Sequence, residues 1–481
     1  MKKSFFPMIV TFAISSALLL PLPFAASAVE PGTTALSTRN DQTEMALTIY
    51  NDNLGLIKDQ REITLQKGSG ELRFMDVASG IIPASVSITS LSGSDGFRIL
   101  EQNYEYDLLN PQKLLDKYLG KEVQLYQKNP YTEREEIVTA TLLSNNGAPI
   151  FRIGDGITYN HPGRVILPDV PENLISQPTL VWLVASDRAA TRKIEASYLT
   201  SGISWRADYV LTLNEQDTRA YLAGWVTIDN KSGASYRDAQ LKLVAGDVNR
   251  VREATPYQDR MLKTAMAEAA PPFREEEFFE YHIYTLERPS TIKDNQTKQI
   301  RLLKAAGIPV KKEFLFKGER RYFYAAYGEQ DTNLKVGVFL EIENRKSSSL
   351  GIPLPKGTVR VYKRDRDGSL QFAGEDAIDH TPKDEKLRVK LGEAFDVVAS
   401  RKQTDWKKTA SDSYEAAFEI TLRNHKKEDV LVKVVEPVPG DWKMLSASHP
   451  WKKGDAFSAE FSIPVPKDTE AKLLYRVRMR Y

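Results

Sequence analysis

Apolar and polar residues alternate along most of this chain. Such alternation is typical of a β-strand with one buried face, because successive strand side chains point to opposite sides of a sheet. The clearest runs are residues 205–213, 336–342, 387–391, 457–465 and 473–481. Tight-turn pairs such as Asp367-Gly368 separate the runs. The pattern predicts a mainly all-β, multidomain protein that is built from β-sandwiches and has few helices.

Helix signals are scarce. The best one has Asn110 as N-cap and Pro111 at the first helical position, and Gly120 ends it. Leu114, Leu115, Tyr118 and Leu119 would share one face of this helix. A second short helix is predicted near residues 300–306, ended by a glycine.

These patterns divide the chain into regions. Residues 29–45 are small and polar and are expected to form a flexible leader. Residues 46–170 are predicted to be a small mixed β/α domain with one short helix. Residues 179–395 are predicted to be a large β-sandwich, interrupted by a mobile insertion at about 253–280, and residues 396–481 an immunoglobulin-like sandwich. For the insertion, a short helix followed by a loop is the alternative.

The first 28 residues have the composition of a secretory signal. Lys2 and Lys3 precede an apolar run at 5–22, and Ala26-Ser27-Ala28 is an A-x-A cleavage site. An uncleaved anchor is the alternative, but the apolar run is marginal for a membrane span. No later segment has 18 consecutive apolar residues, so no spanning helix is expected in the mature chain. The protein is therefore expected to be exported, to a periplasmic or extracellular location.

Cysteine and charge exclude several classes of protein. The chain has no cysteine, which excludes disulfides, thiolate metal sites and cysteine nucleophiles. It has 66 basic and 64 acidic side chains, and loss of the signal removes two lysines and leaves 64 of each. A nucleic-acid-binding protein would normally carry a basic excess. No nucleic-acid partner is therefore expected.

No established catalytic motif is present, and no cofactor or metal ion is predicted. Ser290 and Lys293 match S-x-x-K, but its partner motifs are missing, which indicates a chance match. The densest polar group is Glu375, Asp376 and His380. Carboxylates near a histidine can bind a metal or transfer protons, but a polar loop between two strands is the favoured interpretation. The sequence therefore predicts no enzyme, and these three residues are the ones to test for catalysis.

The tryptophans are candidates for a sugar-stacking surface. Trp205 and Trp225 lie in strong strands and are predicted to be core residues. Trp442 and Trp451 lie in loop-like segments near prolines, and they are the candidates for an exposed binding platform.

Several segments resemble a bacterial family of unknown function whose best-named relatives are the mucoidy inhibitor A-like proteins. The segments are residues 50–59, Ser197-Tyr198, Trp205-Arg206-Ala207-Asp208-Tyr209, residues 354–362, Gly374-Glu375-Asp376 and residues 394–397. The resemblance implies an exported, β-rich protein with no assigned activity. The name of the relatives suggests an influence on secreted polysaccharide.

Three functions remain open from the sequence. The first is a non-catalytic cell-envelope protein that binds a protein or glycan through sandwich loops or a strand edge. The second is a hydrolase that acts on envelope polymers. The third is an outer-membrane β-barrel, suggested by the alternating last strand that ends at Tyr481. The first function is favoured, and the oligomeric state is left open.

Overall fold

The computed structural model describes residues 33–93, 96–128, 134–171, 174–246, 248–249, 273–327 and 330–481. In those residues the chain forms 31 strands, one α-helix and four short 3-10 turns. This composition confirms the prediction of a mainly all-β, multi-sheet protein. No helix in the described part of the chain is long and apolar enough to cross a membrane.

The strands of the first part of the chain precede and follow the single helix. They are β1 (Ala35–Ser37), β2 (Gln42–Tyr50), β3 (Leu54–Leu65), β4 (Gly68–Met75), β5 (Ser87–Ser90), β6 (Phe97–Glu105), the helix α1 (Pro111–Lys117), β7 (Glu122–Lys128), β8 (Glu135–Ser144), β9 (Ile150–Ile153), β10 (Gly156–Tyr159), β11 (Arg164–Ile166), β12 (Thr179–Ser186) and β13 (Ala190–Thr200).

The remaining strands include the longest ones. They are β14 (Ile203–Leu213), β15 (Arg219–Asn230), β16 (Tyr236–Ala245), β17 (Phe273–Phe278), β18 (Tyr281–Leu286), β19 (Ser290–Ile292), β20 (Gln296–Pro309), β21 (Lys311–Lys317), β22 (Gln330–Glu343), β23 (Gly357–Arg364), β24 (Leu370–Ile378), β25 (Lys386–Lys408), β26 (Ser413–Asn424), β27 (Val430–Glu436), β28 (Asp441–Ala447), β29 (Trp451–Asp455), β30 (Ser458–Val465) and β31 (Thr469–Arg480). The 3-10 turns are Arg39–Asp41, Pro83–Ser85, Arg320–Phe323 and Lys346–Ser348.

The largest core is formed mainly by three sheets, and the nine-stranded sheet described below adds Leu340 and Val389 to it. One sheet has the order β1-β4-β12-β6, and an eight-stranded sheet has the order β17-β18-β16-β2-β3-β13-β5 with β19 beside β16. The third, here called the central sheet, has the order β20-β15-β14-β23-β24. Trp182, Leu243 and Tyr209, one from each sheet, belong to a single buried cluster. Burial of such large apolar side chains is the main stabilising term for a chain without disulfides.

Two further cores lie in the remaining sheets. A nine-stranded sheet, in the order β28-β31-β26-β25-β22-β21-β27-β30-β29, encloses Phe418, Phe461 and Tyr475. A small sheet, in the order β10-β9-β8-β7-β11, shares a core with α1 that contains Tyr118 and Leu142. The largest core contains side chains from residue 45 to residue 389. It therefore draws on strands from the predicted domain at 46–170 and from the predicted sandwich at 179–395.

The predicted first helix is confirmed, and the second is wrong. Asn110 caps α1 by accepting a hydrogen bond from the backbone N–H of Lys113 at 2.9 Å, and Gly120 has a φ of 75°. Residues 300–306 lie in the strand β20. Its pairing with β15 has two register shifts, and each shift places an extra residue in β20. The shifts break the alternation and put two apolar neighbours, Leu302 and Leu303, into the core.

Several predicted boundaries fall inside elements of the structure. The segment expected to be a flexible leader contains β1, a 3-10 turn and the start of β2 from residue 35 onward. The boundary predicted between residues 395 and 396 falls within β25. The predicted signal at 1–28 and residues 253–272 of the predicted insertion lie outside the described residues. The insertion was expected to lack strands, but its residues 273–278 form β17.

Candidate functional site

The three residues proposed for catalysis do not converge on one point. Glu375 and Asp376 are successive residues of β24, and they therefore point to opposite faces of the central sheet. Glu375 Oε2 is 3.1 Å from Arg360 Nε, whereas Asp376 Oδ2 accepts a hydrogen bond from the backbone N–H of Lys390 at 2.7 Å. His380 Nδ1 accepts one from the backbone N–H of Lys356 at 3.2 Å. The expected polar loop is in large part a strand.

No metal site accompanies these residues. In the part of the chain that the structure describes, no three histidine, aspartate or glutamate side chains are grouped closely enough to hold a metal ion. A metal site needs ligands that converge from several directions, and the divergence of Glu375 from Asp376 prevents that at this place.

The predicted platform of two tryptophans is half buried. Trp442 is only 7% exposed, and its indole N–H donates to the carbonyl of Ala456 at 2.9 Å. Trp451 is 41% exposed, and the two ring centroids are 5.6 Å apart. Trp442 therefore belongs to the second core, where it connects β28 with the β29–β30 hairpin, and Trp451 alone offers an accessible ring. The sequence missed this because β28 follows a proline-rich segment that predicts a loop.

The strand β14 carries one of the segments that resemble the family, and its side chains divide by face. Trp205, Ala207 and Tyr209 are buried in the first core, while Arg206 and Asp208 lie on the other side, here called the outer face of the central sheet. Trp205 donates its indole N–H to the carbonyl of Val244 at 3.1 Å. This burial fixes the strand and thereby the position of the two charged side chains.

The neighbouring strand β23 carries another of these segments, and it runs parallel to β14. Tyr209 donates its hydroxyl to the carbonyl of Pro355 at 2.8 Å. A Cβ atom on Gly357 would lie 2.1 Å from the carbonyl oxygen of Ala207, so only glycine permits this approach of the two backbones. Together these contacts set the register that brings Arg360 of β23 close to Asp208 of β14.

Three of the segments that resemble the family meet in one charged network. Asp208 accepts hydrogen bonds from Thr227 Oγ1 at 2.6 Å and from Arg360 Nη1 at 3.1 Å, and Arg206 Nε lies 3.5 Å away. Arg360 also contacts Glu375, as described above. Arg206 Nη1 is 2.6 Å from Asp229 Oδ2. The chain of alternating charges therefore runs from β24 through β23 and β14 to β15.

Two members of the network have pKa values that are shifted in favour of the charged form. The hydrogen bond that Arg360 donates to Asp208 raises the pKa of Arg360 above its ordinary value. The hydroxyl of Thr297, followed by the guanidinium of Arg206, holds the pKa of Asp229 below its usual range. Among the described residues, neither arginine uses its Nη2 group in a protein hydrogen bond. Each guanidinium therefore keeps N–H donors that are not used within the protein and face the outer side of the sheet.

Aromatic rings lie beside this network on the same face. Trp225 was predicted to be in the core, but it points outward and is only partly buried, whereas Trp205 is in the core as predicted. The guanidinium of Arg301 is 5.6 Å from the Trp225 ring centroid, and the ammonium of Lys304 is 5.7 Å from that of Tyr221. The sequence contains a signal for this orientation. Trp225 lies one and three residues from the buried Val226 and Ile228, so it points to the opposite face of the strand.

Two more rings extend the row to the other edge of the sheet. The ring centroids of Tyr362 and Phe372 are 5.6 Å apart, and Phe372 is 57% exposed. The outer face thus combines four aromatic rings with oriented guanidinium groups. Rings with an apolar face and nearby polar donors are typical of ligand-binding surfaces.

A family model described as a domain of unknown function, DUF4139, matches residues 194–441. The match covers just over half of the 481 residues, and it includes β14, β15, β20, β23 and β24. No curated protein matches the chain.

Proposed function

The chain belongs to the DUF4139 family, and we propose that it is a non-catalytic binding module that is exported to the cell envelope. The ligand lies on the outer face of the central sheet. The observation that carries this proposal is the Arg206–Asp208–Arg360–Glu375 network, which draws its residues from three separate segments and faces solvent.

The geometry favours binding over acid–base chemistry. The side chain of Asp208 is only 12% exposed, its carboxylate already accepts hydrogen bonds from Thr227 and Arg360, and Arg206 is nearby. A general acid or base must reach a substrate proton. Glu375 is engaged by Arg360, and Asp376 lies on the other face of the sheet. The hydrolase alternative therefore has no pair of converging carboxylates to support it at these candidates.

Export rests on the composition of the first 28 residues, and the envelope polysaccharide link on the resemblance to the mucoidy inhibitor A-like proteins. We expect cleavage after Ala28, so that the mature protein begins at Val29. Mass spectrometry of the amino terminus, after separation of cytoplasmic, membrane and periplasmic or secreted fractions, tests this directly. A protein that begins at Met1 and remains in the cytoplasmic fraction would contradict it.

Site-specific photo-crosslinking in cells of the source tests the binding face. A photoreactive amino acid is placed at Phe372 on the outer face, at Trp451 of the predicted platform, and at Leu474 as a control that is 48% exposed. We expect one dominant protein or glycan adduct from position 372. An adduct from 451 alone would move the ligand to the carboxy-terminal sheet, and equal adducts from all three positions would contradict a defined site.

A further inference from the structure

The outer face of the central sheet carries a surplus of positive charge. Alternation along the five strands assigns six cations and three carboxylates to this face. The cations are Arg206, Arg219, Arg301, Lys304, Arg360 and Arg364, and the carboxylates are Asp208, Asp229 and Glu375. The whole mature chain is close to neutral, so this surplus is a local property of the face.

The three carboxylates are all engaged by only two of the cations. Arg206 and Arg360 make every ion pair described above for Asp208, Asp229 and Glu375. The other four cations have no carboxylate within ion-pair distance in the described part of the chain. Arg219 and Arg364 donate to the backbone carbonyls of Gly307 and Gly368, at 2.9 and 2.7 Å.

The four remaining cations lie around the aromatic rings. Arg301 and Lys304 flank Trp225 and Tyr221, as described above. Tyr221 also lines a cleft of about 500 Å³ together with Arg219, Arg364 and Thr212. Glu215 is the one carboxylate among the residues that line this cleft. Cations and rings therefore alternate across the sheet from β20 to β24, a distance of roughly 19 Å for four strand spacings.

From this arrangement we propose that the face binds an acidic polysaccharide, a chain of sugar rings that carry carboxylates. The C–H face of a sugar ring packs on an aromatic ring, and each uronate carboxylate accepts N–H bonds from a cation that has no carboxylate partner in the described part of the chain. The length of the row matches an extended oligosaccharide better than a single sugar. The inference rests on the proposed function, because it names the ligand of the same face.

Defined polymers test the ligand class with the purified mature protein. Fluorescently labelled oligomers of galacturonate and of hyaluronan are the acidic probes, and galactan oligomers of equal length are the neutral comparison. Polyglutamate has charge without sugar rings, and a single-stranded oligodeoxynucleotide is the nucleic-acid comparison. We expect at least one acidic oligosaccharide to bind at least tenfold more tightly than all three comparisons, and more weakly at high salt.

Matched variants place the binding on this face. Arg301→Gln with Lys304→Gln is expected to weaken acidic-oligosaccharide binding on the order of tenfold or more. Arg98→Gln with Lys443→Gln removes the same charge from exposed strands elsewhere and should leave binding unchanged. Phe372→Ser should also weaken binding, whereas Phe457→Ser, at a ring that is 48% exposed outside the face, should not. Thermal unfolding of each variant confirms that it is folded.

The outcomes separate this inference from the proposed function. Equal binding of galactan, polyglutamate or the oligodeoxynucleotide would overturn the acidic-glycan assignment. The acidic-glycan assignment would also be overturned if neither acidic probe binds while position 372 still crosslinks to a partner. In that case the proposed binding face is retained. Acidic probes that bind with equal affinity to the Arg301/Lys304 variant and its control would place the glycan elsewhere. Absence of any adduct at position 372 in cells contradicts the proposed function.

Discussion

Two arginine–carboxylate clusters in this protein differ in what surrounds them. In the second core, Arg401 and Glu436 are 2% and 0% exposed, with Arg401 Nη1 at 2.7 Å from Glu436 Oε2. Tyr475 donates its hydroxyl to Glu436 at 2.6 Å and accepts from Arg401 at 3.0 Å. On the outer face of the central sheet, the side chains of Arg206 and Arg360 are 56% and 40% exposed.

Aromatic rings enclose the buried cluster but only border the exposed one. The Arg401 guanidinium lies 4.3 Å from the Tyr322 ring centroid and 4.4 Å from that of Phe418. Burial alone would lower the pKa of Arg401, yet Glu436 raises it above its ordinary value. The comparison indicates that one type of ion pair connects strands inside the protein when rings cover it, and leaves N–H donors facing solvent when its outer side is open.

The largest effect is expected when one partner of the buried cluster is removed. Arg401→Met leaves the buried carboxyl group of Glu436 without its cation, and should lower the free energy of unfolding by about 3–5 kcal/mol. Urea unfolding at pH 7 measures this loss. The double variant Arg401→Met/Glu436→Gln leaves no unpaired charge, and it should be more stable than the single variant. A loss below about 1 kcal/mol for Arg401→Met would remove the distinction between the two clusters.

An intermediate effect is expected at the glycine that brings the exposed network together. Gly357→Ala puts a Cβ atom against the backbone of Ala207, so β14 and β23 must move apart at a cost of about 1–3 kcal/mol. The same shift should separate Arg360 from Asp208 and weaken ligand binding. Gly156→Ala is the control, because its Cβ would lie 3.6 Å from the carbonyl oxygen of Ile153, an ordinary contact distance. Equal stability of the two variants would show that the close approach is not needed.

The fold class was predictable from the sequence, but the grouping of the strands was not. Alternation identified β14, β22, β25, β30 and β31, because each has one strongly apolar face. It failed in β20, where register shifts interrupt the period of two. The parallel pairing of β14 with β23 joins residues that are about 150 positions apart. Local periodicity contains no information on such pairing, so the predicted domain boundaries do not follow the cores.

The candidate site was predictable only in part, for the same reason. The segments that contain Arg206, Asp208, Arg360 and Glu375 were identified individually, and only the strand order of the central sheet brings them together. Trp225 was assigned to the core because it lies in a strong strand, although its parity placed it outward. Trp442 was expected to be exposed because its segment resembles a loop, and long-range contact with the β29–β30 hairpin buries it.

A small effect on stability is expected from the exposed network itself. Arg206→Gln should lower the free energy of unfolding by less than about 1 kcal/mol, because exposed ion pairs are screened by solvent. In the Arg206→Gln variant, crosslinking of the ligand from position 372 should nevertheless fall, because the variant lacks the guanidinium donors. Lys472→Gln, which removes an exposed ion pair with Glu419, is the matched control and should leave crosslinking unchanged. A stability loss as large as that of Arg401→Met would instead make the outer network a structural element.

The smallest effect is expected in the pH dependence that Asp229 contributes. Its pKa is lower in the folded protein than in the unfolded chain, where it is about 3.9. As the pH falls, the unfolded chain takes up the proton first, so this contribution is present above pH 4 and is lost as the pH falls through the folded pKa. Asp229→Asn should therefore be less stable than the unchanged protein at pH 6, by less than about 1 kcal/mol, and this difference in the free energy of unfolding should become smaller toward pH 3.

Thr297→Val removes the hydroxyl that lowers this pKa most. Its difference in stability from the unchanged protein should show part of the same decrease toward pH 3. A stability difference that stays constant from pH 6 to pH 3 would show that the contribution of Asp229 to stability does not come from its charge, and would contradict the role of this ion pair in the outer network.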